Sequence, residues 1–238
     1  MAVELLLRYA NDSRIASGRA SIYLFVPLPS DVVRALWSET VIYTHFSHTF
    51  SYFVVALGLG AGLGFTAATL AFRFPRLDSR LSAGAMALNS FPIVGFYPVL
   101  VLIFGFDSTL GRIIIASILA YYPVFVNSLN SFKSIDLGLL QAAELDGANW
   151  RQVFAGIVVP LSASRIINAL RLAVPAAFIG VIVAEWLGAR YGVGFLITQS
   201  LYLLRPDIVY ASFVLVVAVS LVIVAGLARV EAVVRVPE

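Results

Sequence analysis

Four stretches of this chain run for 20 residues or more without one Asp, Glu, Lys or Arg: Thr40–Phe72, Leu81–Phe106, Ile113–Phe132 and Ile208–Ala228. A helix needs about 20 apolar residues to cross the hydrocarbon layer of a bilayer, so each stretch can span. A fifth, Ile166–Gly188, has the length but carries Arg171 toward one end and Glu185 toward the other. Charged groups near a helix end can reach the interface along their own side chains. In lipid the backbone must satisfy its own hydrogen bonds, which leaves helices or closed barrels, and these runs lack the alternation of barrel strands. The expectation is an all-α membrane protein, a polytopic helical bundle with five transmembrane helices. Composition agrees. Of 238 residues 61% are hydrophobic and 12% charged, against roughly 45–50% and 25% in soluble domains. A soluble core of this size would lack the polar groups to cover it.

Features inside the spans narrow the packing. Gly58, Gly60, Gly62 and Gly64 form two overlapping small-xxx-small pairs, a spacing that lets helix backbones approach closely. Pro92 and Pro98 in the second span and Pro123 in the third each remove a backbone donor and favour a kink or a broken turn. Asn89, Tyr97, Tyr121, Tyr122 and Asn127 are polar groups within apolar runs. Such groups line a water-filled pathway or hydrogen-bond between helices, and both readings stay open. Glu185, beside Trp186, reads either as a gate or docking contact or as an interfacial residue in an aromatic belt. His45 and His48 sit one turn apart, but no third metal ligand accompanies them, so an interfacial place is expected.

Orientation follows from Lys and Arg. If the long 133–165 connection is cytoplasmic, then Arg73, Arg76, Arg80, Lys133, Arg151, Arg165, Arg171, Arg229 and Arg235 lie inside, and only Arg112, Arg190 and Arg205 lie outside after the first span. That imbalance places the C-terminus in the cytoplasm. Arg8, Arg14, Arg19 and Arg34 disagree, and a degenerate sixth span near Ile15–Leu28 would return Arg8 to the inside. That alternative stays open beside an N-terminal interfacial or extracytoplasmic segment over 1–40. There Pro27-Leu28-Pro29-Ser30 marks a helix start, and Asp31–Glu39 places Val32, Val33, Leu36 and Trp37 on one face. No short apolar core with a small-residue cleavage site precedes it, so no cleaved signal peptide is expected. The absence of cysteine rules out disulfides, and the scattered net charge of +3 offers no basic patch for nucleic acid.

The segment 134–164, within the 41–238 transmembrane domain, is too polar to span and too patterned to be a loose loop. Asp136–Asp146 reads as a short helix, Gly147 as a break where a left-handed backbone is easy, and Asn149–Val158 as a second helix that Pro160 ends before the next span. Two short helices meeting at a glycine make a rigid projection, suited to docking a partner or transmitting force.

Gln141-Ala142-Ala143-Glu144-Leu145-Asp146-Gly147, followed by Ile157-Val158-Val159-Pro160-Leu161, resembles the "EAA" loop of ATP-binding-cassette importer permeases of type I fold. Gln141 stands where that loop usually has Glu, and Val159 where it has Leu. Ala184-Glu185-Trp186-Leu187-Gly188-Ala189 with Gly192-Val193-Gly194-Phe195-Leu196-Ile197 is similar to the nitrate/sulfonate/taurine-type subfamily. The resemblance implies a non-catalytic permease in the cell (plasma or inner) membrane, with Gln141, Ala142, Ala143, Glu144, Asp146, Gly147, Ile157 and Pro160 coupling it to a separate ATPase. It further implies a second permease subunit, two cytoplasmic ATPase subunits that hold the ATP and Mg, and an extracytoplasmic binding protein or lipoprotein that delivers a small-molecule substrate. No cofactor is expected in this chain. Asn89, Tyr97, Tyr121, Tyr122, Asn127 and Glu185 are the pathway candidates.

Competing classes fit less well. There is no Gly-x-x-x-x-Gly-Lys-Ser/Thr loop, no His-Glu-x-x-His and no Gly-x-Ser-x-Gly, which argues against an ATPase or an intramembrane enzyme in this chain. An ion-gradient-driven carrier or channel would be expected to hold titratable groups near mid-membrane, where four spans here have none.

Overall fold

The computed structural model describes residues 2–16, 26–93 and 95–234. They form helices α1 (Ala2–Ala16), α2 (Pro29–Ser38), α3 (Thr40–Arg73), α4 (Pro75–Ser90), α5 (Tyr97–Phe104) and α6 (Thr109–Lys133). After these come α7 (Leu137–Leu145), α8 (Trp150–Val153), a π turn (Phe154–Val158), α9 (Val159–Gly188), α10 (Val193–Tyr202) and α11 (Pro206–Val234). The alternative span at Ile15–Leu28 falls largely outside the described residues.

Four helices among the described residues are long and apolar enough to cross a membrane: Thr40–Arg73, Thr109–Lys133, Trp150–Gly188 and Pro206–Val234. The charge-free run Leu81–Phe106 is divided, with α4 ending at Ser90 and α5 beginning at Tyr97. The cause is local. Phe91 precedes Pro92, and the proline ring pushes the residue before it out of the helical region; Phe91 sits at φ −75, ψ 133. Gly105 at φ +88 then ends α5 in a conformation that glycine adopts freely.

The centre of the bundle is α3 against α6 and α6 against α9. The two glycine pairs separate here. A Cβ on Gly64 would lie 2.7 Å from the Tyr121 carbonyl oxygen, and one on Gly60 would overlap the Ser117 carbonyl, whereas Gly58 and Gly62 face open space. Gly180 of α9 meets α6 in the same manner, with Ala116 Cα 2.6 Å from where its Cβ would be. Small residues let three backbones touch, so dispersion between them replaces the hydrophobic drive that lipid removes. Phe53 of α3 stacks on Phe178 of α9 with centroids 3.8 Å apart, both rings buried.

Prolines inside α6 and α9 do not end them. Pro160 in particular is expected from sequence to stop the helix after Asn149, yet the helix runs unbroken from Trp150 to Gly188. The π turn explains this. Val159 N–H bonds to Phe154 O, one residue further back than in an α-helix. The wider turn accommodates a ring that would otherwise press on the preceding turn.

α2 has two apolar faces rather than one. Val32, Ala35 and Leu36 pack on Ile42, Leu196, Ile208 and Ala211, while Val33 and Trp37 point outward, Trp37 86% exposed. Polar contacts collect at the two ends of the bundle. At one end Lys133 pairs with Asp78 at 2.5 Å, Arg165 bonds Ser134, and Arg171 and Ser164 both donate to Glu231 of α11. At the other, Arg205 joins Glu39 and Asp207, each at 2.8 Å. The last described turn of α11 therefore lies at the same end as α7 and α8.

Candidate functional site

The projecting corner is built from interlocking caps. Asp136 begins α7 by accepting the Gly138 N–H at 2.8 Å. At the far end Gly147, at φ +87, lets the chain reverse: its N–H bonds to Glu144 O and the Ala148 N–H to Ala143 O, both at 3.0 Å. That pair of bonds satisfies carbonyls which the end of a helix leaves open. Two residues on, Asn149 and Gln152 cap each other, with Gln152 N–H donating to Asn149 Oδ1 at 3.1 Å and Asn149 N–H to Gln152 Oε1 at 2.8 Å. Four residues thus separate the end of α7 from the start of α8, and hydrogen-bonded caps hold both ends.

The corner is anchored on its inner side. Trp150 stacks on Phe154 (5.4 Å), Phe154 meets Phe132 edge-on (5.6 Å), and the Arg73 guanidinium lies 4.8 Å over the Trp150 ring. Ala143 packs inward with Val153 and Val158. The outer side is bare: α7 has no buried residue, and Leu137 and Leu145 are 70% and 89% exposed. Gln141, Ala142, Glu144, Asp146 and Gly147 are exposed along the same element, whereas Ile157 is half-buried in the π turn and Pro160 is exposed at the start of α9. A helix that displays leucines beside amide and carboxylate groups is shaped as a contact surface.

The six pathway candidates differ in their surroundings. Tyr97 is 1% exposed, and its hydroxyl has no hydrogen-bond partner. Tyr121 stacks on Phe125 at 5.6 Å, and Tyr122 packs beside the same cluster. Asn127 donates to its own helix at Pro123 O (2.7 Å), and Asn89 is exposed at the end of α4.

Glu185 is neither interfacial nor open to a pathway; it is fully buried. Its carboxylate accepts the Thr49 hydroxyl at 2.9 Å and the Gly194 N–H at 3.0 Å, and the Thr49 oxygen accepts the Val193 N–H at 2.8 Å. His45 is buried as well, its Nδ1 3.0 Å from the Gly192 nitrogen. Arg112, read from sequence as an outside charge, is 2% exposed: it donates to Asp107 O at 3.0 Å and lies 4.4 Å over the Tyr52 ring. Arg171 finds its partner on α11, at Glu231 (2.7 Å), and not in the 134–164 segment. No periodicity could have revealed Thr49 or Glu231 as partners, because the pairs lie 136 and 60 residues apart.

Residues 60–235 match the family described as "Binding-protein-dependent transport system inner membrane component". The chain belongs to that family. It is accordingly a membrane-embedded ABC transporter permease. SsuC of Bacillus subtilis (strain 168), a permease named for aliphatic sulfonates transport, is 29% identical over 198 residues, covering 81% of this chain and 71% of its own. The formylaminopyrimidine transport permease ThiX of Halalkalibacterium halodurans is 31% identical over 158 residues, 66% of this chain and 63% of its own. Among solved structures, a chain of the MetNI methionine ABC transporter in inward facing conformations superposes with a TM-score of 0.69 at 19% identity, over 88% of this chain and 99% of that one. That likeness carries the fold alone.

Proposed function

We propose that this permease works as one half of a two-permease pathway and is driven by separate cytoplasmic ATPase subunits that grip α7 and the corner at Gly147. The observation that carries the reading is the doubly capped corner, rigid within and bare without. A flexible loop would absorb a push from a partner; this element passes it directly into Trp150–Gly188, the helix of which it is the start. In this reading the end that holds α7, Lys133 and the last described turn of α11 is cytoplasmic, in keeping with the Lys and Arg count. The divided helices α4 and α5 cross together as a fifth, broken span, irregular backbone being tolerated where it is covered by protein or lines a cavity. Asn89 is exposed, Tyr121, Tyr122 and Asn127 are half-buried, and these are the groups that line the pathway. An extracytoplasmic binding protein delivers a small solute to the opposite end, and transport runs inward as the two halves rock. Glu185 is a titratable group inside the bundle, as an ion-driven carrier would have, but its hydrogen bonds are all to neighbouring helices.

The chain contains no cysteine, so a single Leu145→Cys gives one reporter at an 89% exposed position of α7. In membranes that hold the assembled transporter, a short bifunctional reagent should join this residue to a second polypeptide of ATPase type, with a yield that changes on adding ATP. Labelling of Leu145→Cys from the extracytoplasmic side would refute both the orientation and the coupling role.

A further inference from the structure

α10 begins without a cap of its own. Its first flanking residue is Gly192, at φ +109, which has no side chain to bond the open N–H groups at a helix start. Three other helix residues supply what is missing. His45 of α3 faces the Gly192 N–H, Thr49 of α3 takes the Val193 N–H, and Glu185 of α9 takes the Gly194 N–H. The Thr49 hydroxyl, 2.9 Å from each Glu185 oxygen, ties the two donor helices to each other. The glycines are required by this arrangement: a Cβ on Gly192 would overlap the Glu185 carboxylate, and one on Gly194 would overlap the Ile182 carbonyl. The turn that precedes α10 is tied down a second time, since Asp107 N–H donates to Gly188 O (2.9 Å) and Arg190 N–H to Asp107 Oδ1 (3.1 Å).

Glu185 lies three residues from the end of the helix whose other end is Trp150, at the corner. That helix has 39 residues without a break, a rod of about 58 Å at 1.5 Å per residue. One end carries the surface proposed for the ATPase, and the other carries the carboxylate that caps α10.

We propose that Glu185, acting through Thr49, is a positioning residue for transport: it welds α10 to α3 and α9, so that displacement of the corner moves the far-end helix α10 with the rod. The claim rests on the coupling role assigned to the corner. The weld is made by one hydroxyl and one carboxylate, both fully buried, and so can be broken without changing the volume of the core. Besides the weld, α10 is held by His45 at the Gly192 N–H and by the buried side chains of Val193, Leu196 and Ile197.

The test uses the purified transporter with its ATPase, labelled with nitroxides at Ser47→Cys on α3 and Gln199→Cys on α10, both exposed positions. Distances are measured without nucleotide and with Mg·ATP and vanadate. The wild type and Thr49→Ser, which keeps the hydroxyl, should each show one narrow distance, the same in both states. Thr49→Val, alike in shape but without the hydroxyl, and Glu185→Ala should lose the narrow peak and differ between states. Should Thr49→Val fail to assemble, Thr49→Ala carries the same comparison. A wild-type distance that shifts between states, or a Thr49→Val trace that superposes on wild type in both, overturns the weld. A control pair at Gln141→Cys and Arg229→Cys reports whether nucleotide reaches the corner at all. If that pair stays silent, the coupling reading has failed, and the weld is decided by the nucleotide-free traces alone.

Discussion

Replacing Gly147 tests the corner most directly, because its conformation and its surroundings make different demands. The residue sits at φ +87, yet a Cβ built there meets nothing within 4 Å. Any cost of substitution is thus a backbone cost. For an L residue the left-handed region costs about 1–2 kcal/mol relative to glycine, less for Asn and more for a β-branched side chain. A difference of that size changes the ratio of intact to opened corner by a factor of about 5–30. The expected order of function is Gly, then Asn, then Ala, then Val, with Gly147→Val largely uncoupled while membrane insertion is unaffected. Hydrogen exchange at the Ala148 amide, which bonds to Ala143 O at 3.0 Å, should rise in the same order. Uptake by the assembled transporter should fall in parallel with the yield of the Leu145→Cys cross-link. If Gly147→Asn and Gly147→Val, which add side chains of similar size, were equally impaired, obstruction of a partner and not the backbone would be the cause. If Gly147→Val coupled normally, the corner would not be the lever at all.

Two further outcomes follow from packing and charge. Gly60→Ala and Gly64→Ala should each destabilise the purified protein by about 1–3 kcal/mol through overpacking of α3 on α6, whereas Gly58→Ala and Gly62→Ala should leave the thermal midpoint unchanged or slightly raised, since their Cβ atoms meet open space. Equal effects at all four positions would refute the face assignment. The Lys133 hydrogen bond, aided by Ser82, holds the Asp78 carboxyl below its usual range. Its contribution to stability is present above the ordinary carboxylate pKa of about 4 and is lost as pH falls through the lower folded value. Lys133→Met should abolish that part of the acid dependence in thermal melts while leaving the neutral-pH midpoint little changed, as expected for a partly exposed pair.

The contrast between what was readable in the residue order and what was not follows the distance between partners. Long charge-free runs delivered α3, α6 and α11, and local chemistry delivered α7: Asp136, Leu137–Leu145 and Gly147 stand where capping rules place them. The breaking of Leu81–Phe106 was written in Phe91-Pro92, but hydropathy averages over such a step. Pro160 misled because one extra residue in the turn before it removes the conflict that would have ended the helix. Glu185 misled for another reason. A count along the chain places it near a span end, and only folding brings Thr49 across to bury it. Arg112 is buried too, but its partner is local: Asp107, five residues earlier, adopts φ +64 and turns back to meet it. The projecting corner is made of neighbours in sequence, and its residues could be named in advance; the clamp at the other end is made of strangers.

The π turn at Phe154–Val158 amounts to one surplus residue lodged in an otherwise regular helix. Removing it would rotate everything before it by about 100° about the axis and shorten the path by about 1.5 Å, leaving both neighbouring pieces intact. The angular setting between docking surface and membrane crossing is therefore held by a single insertion, a dial that mutation can turn without redesigning either part.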